Sequence, residues 1–142
     1  MFEKFFSGVF DEEHEFSDIW ELKLIRFDTD LDDKRKAYEK YICVSDMVED
    51  VKGNPGRKGH FYLTNLRVIW HCNSDKDLNL SIGLDTINNA LIKAVPIQGY
   101  NEVRHILTLK SISPQQTKYE FKFAGYTQRE ERLFKKIQDA FK

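Results

Sequence analysis

The residues whose types and spacing could do chemistry lie between Gly53 and His71, in the stretch GNPGRKGHFYLTNLRVIWH. Gly53, Gly56 and Gly59 allow backbone angles closed to other residues, and Pro55 fixes its own φ and donates no hydrogen bond. Between Val51 and Ser74 there is no carboxylate, but there are four cations: Lys52, Arg57, Lys58 and Arg67. A loop of this kind can turn backbone N–H, ammonium and guanidinium groups toward one anion. Lys93, on a later predicted strand, is a fifth candidate for the same mouth. The pattern suits binding, not catalysis. The competing reading is a set of solvated loop charges, with Arg67 paired to a carboxylate such as Asp50 across the sheet.

Other chemistries find less support. No nucleophile elbow, P-loop, paired-carboxylate motif or dinucleotide fingerprint occurs, so neither an enzyme nor a cofactor is expected. Cys43, His71 and Cys72 could supply thiol and imidazole ligands. Zinc sites use four such groups at close spacing, however, and no CxxC or HxxxH pair is present. A structural role is expected for them, and a core position for Trp70. Nucleic acid is not an expected partner, because the aromatics fall at inward-facing positions instead of between clustered cations.

The elements that must position the loop follow from periodicity. A hairpin is predicted from His60–Leu63 and Arg67–His71, with a tight turn at Thr64-Asn65 in which Asn65 tolerates the left-handed conformation. Trp20–Phe27 alternates as a strand, and Tyr41–Val51 is the first long one. Leu78, Leu80, Ile82 and Leu84 alternate with Asn79, Ser81 and Gly83, predicting one face in and one face out. Ile87–Val95, Glu102–Lys110 and Tyr119–Phe123 complete the series. The period then changes to 3.6. Thr127-Gln128-Arg129-Glu130 has the form of a capping box, and Leu133, Phe134, Ile137 and Phe141 make one apolar stripe. About seven antiparallel strands closed by one C-terminal α-helix form the plan of a mainly β, pleckstrin-homology-like barrel.

The chain has 142 residues, one domain's worth, with 41% apolar and 13% aromatic side chains. Its net charge of −1 hides an asymmetry. Residues 1–50 carry 15 acidic and 7 basic side chains, and residues 51–142 carry 8 and 15. The halves either complement one another within one compact domain, or an acidic arm docks elsewhere or shields the basic surface. The expected division is an aromatic, acidic arm over residues 1–17 and a domain over residues 18–142. In the arm, Phe2, Phe5, Phe6 and Phe10 fall near helical spacing, and Asp11–Glu15 is an acidic run. These phenylalanines either pack on the domain or insert into a protein partner, and the second is expected. With no signal-peptide pattern and no apolar run of about 20 residues, a reducing intracellular compartment is expected, with unpaired cysteines.

Several motifs together resemble a known family. They are Val48–Asn54, Gly59, the run Tyr62–His71 (YLTNLRVIWH) and Leu78–Gly83, with weaker echoes at Trp20-Glu21, Arg26–Asp28 and Tyr119–Phe121. The resemblance is to the module repeated in the Bardet–Biedl syndrome 5 family, and it covers roughly residues 18–142. The family's protein is a subunit of the BBSome, the coat-like complex that moves membrane proteins in cilia, and the resemblance implies a stand-alone relative of it or a paralogue serving another ciliary assembly. Partners would then be other subunits of a ciliary complex, and locations the cilium or flagellum, cytoplasm and cytoskeleton. The function expected is that of an adaptor or scaffold, trafficking or axoneme-associated. The alternative it implies is a module recruited to phosphoinositide membrane through Lys52, Arg57, Lys58, Arg67 and Lys93. The family carries two such modules and this chain one, so a single-module relative is expected.

Overall fold

The computed structural model describes residues 21–29 and 39–141. Among the described residues there are eight strands: β1 (Ile25–Phe27), β2 (Tyr41–Asp50), β3 (Lys58–Thr64), β4 (Arg67–Cys72), β5 (Asn79–Gly83), β6 (Ile87–Pro96), β7 (Val103–Ile112) and β8 (Lys118–Gly125). A helix, α1 (Gln128–Ala140), follows them. All eight strands belong to one antiparallel sheet of order β1-β5-β4-β3-β2-β8-β7-β6. β2 joins the two meanders: it pairs with β3 along its length and with β8 through Glu49 and Asp50. Register breaks between Tyr41 and Cys43, and between Ser45 and Val48, let it bend from one to the other. This is the mainly β, helix-closed plan read from the sequence, with one more strand than the seven or so expected. Its sheet stays open, with β1 and β6 as edges.

The interior follows the period-2 pattern. Phe61, Leu63, Val68, Trp70, Leu107, Leu109 and Phe123 are fully buried between the sheet and α1. Gly59 is required here, because a Cβ at that position would lie 2.7 Å from the Trp70 ring. The Trp70 indole N–H donates to the Val48 carbonyl at 2.8 Å, so its polar atom is satisfied inside. Helix α1 begins at the predicted capping box. The Arg129 N–H donates to Thr127 Oγ1, and Glu130 accepts from the Thr127 N–H at 3.2 Å. Its stripe of Leu133, Phe134 and Ile137 is buried, and the Phe134 ring meets Phe61 edge-on at 5.8 Å. Each such side chain gains about 2 kcal/mol from leaving water.

The opposite face of the β3–β4–β5 region departs from expectation. Asn79, Ser81 and Gly83, predicted to face water, are as buried as Leu80 and Ile82. Chain from residues 21–29 and 39–40 covers them. Asn79 Nδ2 donates to the Thr29 carbonyl at 2.7 Å and its Oδ1 accepts from the Thr29 N–H at 3.1 Å. The predicted strand Trp20–Phe27 is correspondingly shortened. Glu21–Lys23 forms a single 3-10 turn that puts Leu22 in the core, and only Ile25–Phe27 is strand. That turn passes so close to Gly83 that a Cβ there would collide with the carbonyls of Glu21 and Leu22. At the β3–β4 turn, φ is not positive at Asn65. Instead the Asn65 side chain accepts from the Lys40 N–H at 2.7 Å, and Thr64 Oγ1 accepts from the N–H groups of Leu66 and Arg67.

Candidate functional site

The β2–β3 loop, residues 51–57, is held by the two carboxylates that end β2. Asp50 Oδ1 accepts from the Gly53 N–H at 3.3 Å, and its Oδ2 accepts from Asn54 Nδ2 at 2.9 Å. Glu49 Oε2 accepts from the Gly56 N–H at 3.0 Å, and its other oxygen accepts from the Tyr126 hydroxyl at 3.0 Å. The loop amides are therefore turned onto the protein's own anions. The acid-free stretch begins one residue too late to reveal this. Burial pushes the Asp50 carboxyl above its ordinary range; hydrogen bonds from Asn54 and Gly53 oppose that shift, and the charges of Glu49 and Asp28 add to it.

The five candidate cations do not converge. Lys52 reaches Glu120 at 3.8 Å. Arg57 Nη1 approaches Cys72 Sγ at 3.9 Å. Burial opposes ionisation of that thiol, yet hydrogen bonds from Ser74 and Arg57 bring it below the ordinary thiol value. Lys58 sits over the Tyr126 ring, 4.6 Å from its centroid. Lys93 is exposed on β6 beside Ile92, which shares a register row with Leu107, Phe123 and Asp50, so it lies three strands from the loop.

Arg67 is spent inside the protein. Its guanidinium binds Glu39 through two bonds, Nε to Oε2 at 2.8 Å and Nη2 to Oε1 at 3.1 Å. Nη1 donates to Ser81 Oγ at 3.1 Å and lies 3.5 Å from Glu21 Oε2. The carboxylate partner read from the sequence, Asp50, is replaced by two acids from the covering chain. Glu39 also accepts from Thr64 Oγ1, which ties the hairpin turn to the same network. Arg67 thus fastens residues 21–29 and 39–40 to the sheet.

Two cavities flank the loop. One, of about 330 Å³, has apolar walls from Phe27, Leu80, Tyr119 and Phe121, with Asp28, Asp50, Lys52 and Glu120 around them. The other, of about 590 Å³, gathers Lys52, Lys110 and Lys118 with Asn88, Ser111 and Glu120. Lys110 and Lys118 are cations the sequence reading missed. Cross-strand register is the signal, since Lys110 stands opposite Glu120 and Lys118 opposite Ile112. The Ser111 hydroxyl is buried and has no hydrogen-bond partner among the described residues. The cysteines are free thiols, set on β2 and β4 with β3 between them. Burial pushes Cys43 up to about 11, against the lowering effect of Lys136 and the Leu63 backbone. Among the described residues no cluster of three or more metal-ligating side chains occurs. Phe2, Phe5, Phe6 and Phe10, and the Asp11–Glu15 run, lie outside the described residues.

The family model of the Bardet–Biedl syndrome 5 protein N-terminal PH-like domain matches residues 39–142. The match opens at Glu39, the principal partner of Arg67, and runs through α1. The chain belongs to this family. Among curated relatives, the zebrafish (Danio rerio) protein named BBSome complex member BBS5 is 34% identical over 122 residues, 84% of this chain and 34% of that protein. The mouse (Mus musculus) protein of the same name is also 34% identical over 122 residues. The Caenorhabditis elegans protein named BBSome complex member bbs-5 is 36% identical over 112 residues, 75% of this chain and 31% of that protein. The chain thus spans about a third of the length of these relatives. The family places the stretch Tyr62–His71 in a pleckstrin-homology-like module, as read from its residues.

Proposed function

We propose that the chain is a non-catalytic adaptor or scaffold subunit of a ciliary protein assembly, BBSome-like or axoneme-associated. The observation that carries this reading is the family match over residues 39–142, with relatives named as BBSome complex members. Its partners are other subunits of that assembly, and its locations are the cilium or flagellum, with cytoplasmic and cytoskeletal pools. Exposed apolar side chains on β2, namely Tyr41, Val44 and Met47, offer contact surface on the described domain. In the arm over residues 1–17, Phe2, Phe5, Phe6 and Phe10 add apolar contact groups, and the Asp11–Glu13 run beside them meets a basic surface and adds orientation.

Proximity labelling in a ciliated cell, with the whole chain as bait, tests this reading. BBSome or other ciliary subunits should be enriched. Deleting residues 1–12 should reduce that enrichment while leaving the melting temperature nearly unchanged. A bait that enriches no ciliary protein would sink the adaptor reading.

A second reading, a phosphoinositide-binding membrane module, draws on Lys52, Lys110 and Lys118 around the larger cavity and on Arg57 and Lys58 beside the loop. Arg67 is withdrawn from it by the Glu39 pair. Liposome sedimentation at low salt decides this case, because exposed charges are screened beyond about 8 Å at physiological ionic strength. Arg57→Glu with Lys58→Glu should abolish such binding. Wild-type protein that ignores phosphoinositide liposomes would end the reading.

A further inference from the structure

The smaller cavity beside the β2–β3 loop prefers the charge opposite to the one that the loop's cations suggest. Three rings wall it, with centroid separations of 5.7 Å for Phe27 and Tyr119, 5.9 Å for Phe27 and Phe121, and 5.9 Å for Tyr119 and Phe121. Phe27 is 47% exposed, so much of its ring stands open to a guest. The charged lining is three carboxylates, Asp28, Asp50 and Glu120, against one ammonium, Lys52. Lys52 and Lys122 both pair with Glu120, each at 3.8 Å, so the surplus negative charge is that of Asp28 and Asp50 less one cation. A phosphate entering here would meet surplus negative charge at close range.

We propose that this cavity takes the guanidinium of an arginine from a partner protein, stacked on Phe27 and held by Asp28, with the charge of Asp50 behind it. Asp50 is 2% exposed and both its oxygens already accept from the loop, so it adds negative charge behind the exposed carboxylate of Asp28, which makes the direct contact. Asp28 accepts from the Asn79 N–H at 3.0 Å, which fixes its carboxylate at the edge of β5. Arginine suits the site better than lysine: its guanidinium is planar, stacks on aromatic faces and is more weakly hydrated than an ammonium. A volume of about 330 Å³ also suits one long side chain with its apolar stem. Only the source of the arginine, a neighbouring subunit, rests on the adaptor reading. The chemistry of the cavity stands apart from it.

The test uses the full 142-residue chain labelled with 15N and titrated with N-acetyl-arginine amide, or with its neutral citrulline analogue. Arginine should move the backbone amides of Phe27, Gly53, Asn54 and Phe121 saturably. It should bind about tenfold more tightly than citrulline, the ratio separating charge-assisted from neutral hydrogen bonding. Phe27→Ala should weaken arginine roughly two- to fivefold, the factor for a cation over a half-open ring. Glu120→Gln, at an exposed carboxylate, should weaken it too. Citrulline binding as tightly as arginine would overturn the proposal, and so would arginine leaving these amides unmoved. Inositol trisphosphate shifting these amides where arginine does not would overturn it as well. Each of those results concerns the cavity alone, whereas the adaptor reading fails only by the absence of ciliary subunits around the whole chain.

Discussion

Trp70 and Arg67 stand three residues apart on β4 and point to opposite faces of the same sheet, and both are buried. Trp70 sits among Phe61, Leu63 and the other side chains under α1, and needs one hydrogen bond, to Val48. Arg67 needs Glu39, Glu21 and Ser81, drawn from three separate parts of the chain. The two faces teach different lessons about specificity. Apolar packing tolerates many partners of suitable volume. A buried guanidinium is tolerable only where its few acceptors are in place, so it selects one path for the covering chain.

The sharpest way to break this contrast is to remove one member of each side. Arg67→Ala takes from buried Glu39 its two-bond partner and leaves Glu21 to Arg26, 2.8 Å away, and should cost about 3–5 kcal/mol in denaturant unfolding. Phe134→Ala opens a cavity against Phe61 and should cost a similar amount, about 3–5 kcal/mol. Rescue separates the two. Arg67→Met combined with Glu39→Leu should recover much of the first loss, because apolar replacement of a buried pair is often neutral. An Arg67→Ala protein as stable as wild type would mean the ion-paired face contributes nothing. An unchanged melting temperature for Phe134→Ala would detach α1 from the domain.

A smaller effect is expected where the apolar face begins. Thr127→Ala removes the acceptor for the first turn of α1 and should lower stability by about 1 kcal/mol. Ser45 and Glu130, which share a 3.1 Å hydrogen bond between β2 and that turn, keep the helix docked, so the fold should survive. Circular dichroism melts check both points.

The smallest effect is a pH dependence beside the loop. The folded protein holds the Asp50 proton more tightly than the unfolded chain does, since the carboxyl is raised by burial and by Glu49 and Asp28. Ionised Asp50 therefore weakens the fold above its folded-state pKa, and that penalty fades as pH falls toward the unfolded value. Asp50→Asn puts an amide NH2 where one oxygen accepts from Gly53 or Asn54, a loss present at every pH, but its stability relative to wild type should gain as pH rises from about 4 to neutral. A gain that grew on acidification would contradict the assigned direction.

What the sequence reveals follows from the range over which each force acts. The strands, the capping box at Thr127 and the burial of Phe134 and Ile137 are legible because their signals are periodic and local. The partner of Arg67 is not, because Glu39 lies 28 residues away and Glu21 sits beyond an intervening charged stretch. The same gap misassigns the outer face of β5, whose Asn79 and Ser81 read as solvent-facing until the covering chain is in place. At the loop, glycines and cations are visible in one dimension, but Glu49 and Asp50 fold back onto its amides only in three. Lys110 and Lys118 become neighbours of Lys52 only through strand register.

A module that serves as a subunit of an assembly should sediment with that assembly. Sedimentation of a tagged full chain from ciliated-cell extract, with fractions probed for BBSome subunits, tests it most directly. The chain should travel with a large particle containing those subunits. A chain found only as free monomer, or only with phosphoinositide vesicles, would contradict it.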